Sequence, residues 1–148
     1  MAKTNLQDFS VVDFPPAIGP GFVYVLSWLS GDEEIPFYVG ETQSIWGRLN
    51  DYYWAQFQAS TDFRVGEAVK HLHLKSLRIV ARYRSSEDRR KEERAIIDQI
   101  HADGRRLLND VRGYDYRTAR EDEERTRVRQ CIDSLVDASL KPDAADSN

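Results

Sequence analysis

The clearest pattern in the chain is an apolar segment, residues 22–29, in which both alternating faces are hydrophobic. One face would carry Phe22, Tyr24, Leu26 and Trp28, and the other Val23, Val25 and Leu29. A strand with two apolar faces is covered on both sides, so it belongs in the centre of a sheet. Polar residues 30–34 predict a turn, and residues 35–40 return as the second strand of a hairpin. Alternation in residues 77–83 predicts a third strand.

Apolar residues at helical spacing predict four helices, at about residues 45–57, 62–73, 87–102 and 118–140. Thr42 or Ser44 can cap the first helix, and Ser85 or Ser86 the third, which Gly104 ends. We therefore expect an α/β (α+β) fold. It would be a small, mainly antiparallel three-stranded sheet flanked by helices, with an extra C-terminal helix.

Length and proline positions predict the domain organisation. A chain of 148 residues suits one domain with a single sizeable core. Pro15, Pro16 and Pro20 predict an extended N-terminal arm over residues 1–20. We assign residues 21–112 to the domain, 113–140 to a C-terminal helical extension and 141–148 to a disordered tail.

Composition argues against several classes of protein. Cys131 is the single cysteine, which excludes an internal disulfide and a cysteine-based zinc site. No apolar run has the length of a membrane span, and the first residues lack the pattern of a signal peptide. We expect an intracellular, cytoplasmic protein with no membrane partner.

Charge is unevenly distributed along the chain. The net charge is −4, yet residues 71–120 carry 13 basic and 8 acidic side chains. A basic stripe in an acidic chain can bind nucleic-acid phosphates. The alternative is a set of solvated helix faces with internal ion pairs. The basic candidates for contact with DNA are Arg82, Arg84, Arg89, Arg90, Lys91, Arg105 and Arg106.

Glu93 is the most anomalous residue of the third predicted helix. It lies three and four residues before Ile96 and Ile97, in line with their apolar stripe. A carboxylate in that position is costly unless it is paired or binds a metal. The alternative is an ordinary acidic residue near the positive end of a helix and beside solvent.

Arg48 and three tyrosines are weaker candidates when each is taken alone. Arg48 lies four residues before Tyr52, so both point to one side of the first helix. Its forked guanidinium suits a phosphate, although a surface arginine that covers apolar neighbours has the same spacing. Tyr24 and Tyr38 lie on neighbouring strands, where a tyrosine is usually part of the core.

The order of these residues is more specific than any one of them, and it resembles the GIY-YIG nuclease family. Phe22-Val23-Tyr24 is similar to the first tripeptide motif of that family, and Tyr38-Val39-Gly40 is similar to the second. Arg48, the helix tyrosine Tyr52, Glu93 and the closing asparagine Asn109 follow in the family's order. Two positions depart from the pattern, because Phe22 replaces a glycine and Glu41 stands where some members carry a lysine.

The resemblance implies an endonuclease that hydrolyses DNA phosphodiesters with one divalent cation, Mg²⁺ or Mn²⁺, held by Glu93. It implies catalytic roles for Tyr24, Tyr38, Arg48, Tyr52 and Glu93. Tyr24 would be the general base, and Arg48 would neutralise charge on phosphorus. Gly40 and Asn109 would support the structure, and Asn109 would tie the loop after the glutamate helix to the sheet.

Two other functions remain open at this point. The chain could be a catalytically silent domain of the same family that binds nucleic acid or protein. It could also be a small adaptor that dimerises through its C-terminal helix. A nuclease of this size would take its target choice from DNA shape, from the insert at about residues 59–76, from a homodimer or from a separate specificity protein.

Overall fold

The computed structural model describes residue 6, residues 9–11 and residues 21–140. This part of the chain forms a mixed α+β fold, in which four α-helices surround one antiparallel four-stranded sheet. The strands are β1 (Ser10–Val11), β2 (Phe22–Ser30), β3 (Glu33–Thr42) and β4 (Ile79–Ser85), in the spatial order β1-β4-β2-β3. The central position predicted for residues 22–29 is confirmed, because β2 pairs with both β3 and β4.

The predicted number of three strands is wrong. The fourth strand, β1, comes from the segment that we expected to be an extended arm, and it pairs with Tyr83 and Arg82 of β4. Two residues are too few to produce a detectable alternation, so the sequence carries no signal for this strand. Leu6 and Phe9 next to it are buried. The prolines of the arm and the predicted disordered tail lie outside the described residues.

The helices begin and end close to the predicted positions. They are α1 (Ile45–Trp54), α2 (Ser60–Leu74), α3 (Arg89–Ala102) and α4 (Glu121–Leu140), with a short 3-10 helix at Leu108–Asp110. Ser44 caps α1 by accepting a hydrogen bond from the Gly47 amide. The cap of α3 is Asp88, and neither Ser85 nor Ser86 has that role. None of these helices combines the length and the apolar character needed to cross a bilayer.

The sheet separates two hydrophobic clusters, as the double-sided pattern of β2 requires. Tyr24, Leu26 and Trp28 belong to the larger cluster, which α1, α2 and α4 cover. Val23 and Val25 belong to the smaller cluster, beneath Ile96, Ile97 and Ile100 of α3. The C-terminal helix contributes fully buried side chains to the larger cluster, so its apolar stripe packs against the domain itself.

At Gly40 of β3 the core leaves no room for a methyl group. Its Cα faces the ring of Tyr24 on the paired strand, and an added Cβ would overlap the phenol oxygen and Cζ of that tyrosine. The neighbour of Gly40 is thus a buried side chain. We therefore expect Gly40→Ala to destabilise the protein by about 1–3 kcal/mol, because overpacking displaces a buried ring.

Urea unfolding measures this effect, and Gly113→Ala is the matched control. An added Cβ at Gly113 meets no atom within 4 Å. Equal unfolding midpoints for the two variants would show that Tyr24 can move aside without cost.

Candidate functional site

Three tyrosines from three elements meet inside the larger cluster. Tyr24 of β2, Tyr38 of β3 and Tyr52 of α1 have ring centroids between 6.0 and 6.4 Å apart. The hydroxyls of Tyr24 and Tyr52 hydrogen-bond each other. All three rings are buried, and Tyr38 is the most accessible at 9%. Positions that are 28 residues apart in sequence thus share one hydrogen bond.

Arg48 lies against this tyrosine cluster and is held there by an aspartate. Its guanidinium carbon is 5.1 Å from the centroid of the Tyr52 ring. Both terminal nitrogens bind Asp62 of α2, at 2.8 and 3.1 Å. A two-point contact of this kind fixes the plane of the guanidinium. Sequence reasoning did not find Asp62, because nothing in its local pattern distinguishes it from any acidic residue in the first turn of a helix.

Burial keeps the tyrosine hydroxyls protonated. It raises the pKa of Tyr24, with a further contribution from Tyr38, while the hydrogen bond from Tyr52 and the charge of Arg48 oppose the shift. Burial likewise raises the pKa of Tyr38 and that of Tyr52. A buried neutral phenol is a poor proton acceptor, so the environment of Tyr24 does not favour the general-base role that the family resemblance implied. These hydroxyls are suited to hydrogen bonding.

Glu93 lies on α3, which packs on the other face of the sheet from α1. The side chain is partly buried, as its alignment with Ile96 and Ile97 predicts. Burial raises the pKa of its carboxyl, the carboxylate of Glu41 raises it further, and Arg90 and Arg94 oppose the shift. Glu93 is also within electrostatic range of Tyr38. It therefore lies close to the edge strand β3, where the two faces of the sheet meet.

An open groove of about 550 Å³ at the end of β3 connects the Arg48 side with the Glu41 side. We call it the Arg48 groove; its lining consists of Glu41, Thr42, Gln43, Ser44, Gly47, Arg48, Asp51 and Arg89. The three tyrosines lie behind Arg48, and Glu93 lies beside Glu41. Neither the tyrosines nor Glu93 line the groove themselves.

The carboxylates of Glu41 and Glu93, at this end of the molecule, offer the oxygen ligands that a hard divalent cation prefers. Oε2 of Glu41 is buried without a hydrogen bond, since Nη1 of Arg89 lies 3.0 Å away but is not oriented to donate one. The carboxylate of Glu41 lies close enough to Glu93 to raise the pKa of the Glu93 carboxyl. Among the described residues there is no cluster of three or more His, Cys, Asp or Glu side chains that could hold a metal ion. An ion here would thus keep mostly water ligands, as Mg²⁺ commonly does.

Asn109, in the short 3-10 helix after α3, joins that part of the chain to the sheet. Its side-chain amide accepts a hydrogen bond from the Val39 amide at 2.9 Å and donates one to the Val39 carbonyl at 2.7 Å. Val39 lies on the outer edge of β3, so this pair also covers backbone groups that would otherwise be open to another strand. The loop after α3 is thereby tied to the sheet beside Tyr38 and Gly40.

The basic stripe is only partly available for phosphates. Of the seven basic candidates for DNA contact, four are ion-paired with glutamates: Arg82 with Glu34, Arg84 with Glu92, Arg89 with Glu41 and Arg105 with Glu33. Arg90, Lys91 and Arg106 are exposed and have no ion pair with any other described residue. Two of these three unpaired candidates, Arg90 and Lys91, lie in the first turn of α3.

The charge on Glu93 gives stability a pH dependence of known sign. Because the folded-state pKa is raised, the folded protein binds this proton more tightly than the unfolded chain does. The resulting stability is present below the ordinary glutamate pKa and is lost as the pH rises through the raised value. We therefore expect Glu93→Gln to unfold at higher urea than the wild type at about pH 7, and at the same urea at about pH 4.

The exposed Glu87→Gln is the control for that comparison. It removes a carboxylate two residues before α3 without removing a partly buried one. A stability gain for Glu93→Gln that persists unchanged at low pH would contradict the assignment to charge burial.

Comparison with known proteins returned no match: no protein-family model, no curated protein and no solved structure is similar to this chain. The resemblance to the GIY-YIG family therefore depends on the order of its residues in the sequence.

Proposed function

We propose that this protein is a metal-dependent endonuclease with a GIY-YIG-like layout, which hydrolyses phosphodiester bonds in DNA. The observation that supports this best is the clamped arginine. Asp62 fixes the Arg48 guanidinium against the tyrosine cluster and at the border of an open groove. The two-point contact fixes the plane of the guanidinium, and arginine has five N–H donors, so donors remain for a phosphate in the groove.

Arg48 supplies positive charge near the groove, and the tyrosines supply hydrogen bonds. Arg48 neutralises charge that develops on the phosphorus oxygens in the transition state. Tyr38 is the most accessible of the three phenols but does not line the groove, so its proposed role is to donate a hydrogen bond to the attacking water. Tyr24 and Tyr52 hold each other and the Arg48 side chain in place.

Glu93 would hold the divalent cation, with Glu41 beside it. When bound, the ion supplies positive charge that activates the attacking water and stabilises the leaving oxygen. The raised pKa of the Glu93 carboxyl matters here, because proton and cation compete for the same oxygens. Activity should accordingly rise with pH as this carboxyl loses its proton.

Cleavage of plasmid DNA and of branched DNA, with Mg²⁺ or Mn²⁺ and with EDTA as the blank, tests the proposed function. The expected result is metal-dependent nicking by the wild type at catalytic concentrations of protein. DNA binding without any cutting would favour the silent-module alternative. No binding to either DNA would remove nucleic acid as the partner.

The free cations at the start of α3 should steer DNA to the site. We expect the charge reversal Arg90→Glu/Lys91→Glu to weaken binding across DNA sequences. It should also reduce the slope of log K against log salt by about 1–2, since each neutralised phosphate contributes about 0.9. Fluorescence anisotropy over a salt series measures both quantities.

The reversal Arg120→Glu/Arg129→Glu is the matched control, because it makes the same charge change around α4 on the far face of the sheet. An equal loss of affinity in both double variants would mean that net charge, and not this patch, controls binding.

A further inference from the structure

Helix α1 exposes three large aromatic rings next to the proposed site. Trp46 is 40% exposed, Tyr53 61% and Trp54 70%. Trp46 and Tyr53 are seven residues apart and share one helix face, while the neighbouring face buries Ile45 and Tyr52. The Tyr53 and Trp54 rings pack edge to face, with centroids 4.8 Å apart. Trp54 and Tyr53 thus present most of their ring surface to solvent, and Trp46 presents part of it.

A second open groove, of about 440 Å³, begins at Trp54. We call it the Trp54 groove; it is lined by Asn50, Asp51, Trp54, Ala55, Gln56, Gln58, Ala59 and Asp62. Asp51 also lines the Arg48 groove, and Asp62 binds Arg48. Trp54 is therefore continuous, through Asp51 and Asp62, with the place where a phosphate would contact Arg48, and Tyr53 packs against Trp54.

The chemistry of the Trp54 groove suits a nucleobase and disfavours a phosphate. Both oxygens of Asp62 already bind Arg48, whereas Asp51 has no ion pair with another described residue. The Asp51 carboxylate would repel a phosphate, but it can accept hydrogen bonds from the amino groups of cytosine, adenine and guanine. Asn50, Gln56 and Gln58 offer amide groups whose side chains make no hydrogen bond with other described residues. An aromatic ring beside such groups provides a surface on which a base can stack.

We propose that the exposed rings of α1 and the Trp54 groove bind unpaired nucleobases of the strand whose phosphate lies at Arg48. This inference depends on the proposed function for the position of the phosphate, and it names the class of substrate. Bases in a duplex are stacked and paired, so their faces cannot reach these rings. The substrate is thus DNA with unpaired nucleotides next to the bond that is cut, such as a single strand, a flap or a loop.

The experiment measures binding in EDTA, so it does not depend on cleavage. Labelled oligo(dC) and oligo(dT) strands of about 15 nucleotides and a duplex of equal length are titrated with protein, and anisotropy and tryptophan fluorescence are recorded together. We expect the single strands to bind more tightly than the duplex and to quench tryptophan emission. Oligo(dC) should bind more tightly than oligo(dT), since thymine has no amino group.

Ring removal then tests the rings directly. Trp54→Ala should weaken single-strand binding about tenfold, and Trp54→Phe should restore most of the loss because it keeps a stacking surface. Duplex binding should change little. Tyr116→Ala is the control, since it removes a ring that is 45% exposed and lies outside both grooves. Circular dichroism and the unfolding midpoint establish that each variant is folded.

The outcomes separate this inference from the proposed function. Ring-dependent binding without any cutting by the wild type supports the inference and contradicts the nuclease. Metal-dependent cutting together with unchanged single-strand affinity in Trp54→Ala overturns the inference and leaves the nuclease standing. Equal affinity for oligo(dC) and oligo(dT) overturns the placement of the base in the Trp54 groove. A wild-type dimer that Trp54→Ala converts to a monomer also overturns the inference, because the rings would then bind a second copy of the chain.

Discussion

Glu93→Gln is expected to reduce the rate of Mg²⁺-dependent DNA cleavage by about a thousandfold or more while leaving the protein folded. Glutamine keeps the shape of the side chain but removes the charge that would hold a divalent cation. Without the cation the transition state loses its charge stabilisation, which raises the activation free energy by several kcal/mol. Because Glu93 is partly buried and its charge is disfavoured there, stability should not fall. Single-turnover cleavage kinetics and urea unfolding of the same preparation measure the two effects.

The neighbouring carboxylate supplies the control. Glu92 points toward β4, where it pairs with Arg84 at 3.3 Å, so Glu92→Gln should keep most of the activity. If Glu92→Gln is inactive and Glu93→Gln is active, the metal ligand is one position earlier than proposed. If Glu93→Gln unfolds the protein, the residue has a structural role and the proposed metal site is lost.

Arg48→Ala is expected to reduce the turnover number by about 10²–10³, with a much smaller change in the affinity for DNA. The charge of a clamped guanidinium matters most in the transition state, where negative charge on the phosphorus oxygens is greatest. Arg48→Lys should recover only part of the loss, because lysine lacks the fork that both binds Asp62 and faces the phosphate. Rates and affinities measured separately, with DNA in excess and with protein in excess, distinguish the two effects.

Arg129→Ala on α4 is the control for the loss of one positive charge. An affinity loss in Arg48→Ala as large as the loss in turnover would show that the residue binds ground state and transition state equally. An active Arg48→Ala variant would contradict the proposed role of the clamp.

The secondary structure of this protein could be predicted largely from its sequence. Its main strands and all four helices of the described part depend on local periodicity, and a two-faced apolar strand has only one stable place, inside a covered sheet. Gly40 and Asn109 could be selected by their order in the chain. Their structural roles could not be predicted: Gly40 leaves room for the Tyr24 ring, and Asn109 makes two hydrogen bonds to Val39.

The start of α3 and the short strand β1 could not be predicted from local sequence patterns. Asp88 caps α3 although two serines precede it, since the cap depends on backbone geometry at one residue. Strand β1 contains two residues, and it exists because the edge of β4 offers open backbone groups, which no pattern in residues 10 and 11 reveals.

The sequence by itself determined which residues are candidates, because an arginine, three tyrosines and a glutamate in a given order are a property of the chain. Only the tertiary structure decided what each of them can do. Folding buries the three phenols and raises the pKa of Tyr24, brings Asp62 to Arg48 from 14 positions away and places Glu41 beside Glu93. It also leaves Trp46, Tyr53 and Trp54 facing solvent. Burial, ion pairing and exposure are set by neighbours distant in sequence, and local periodicity carries no record of them.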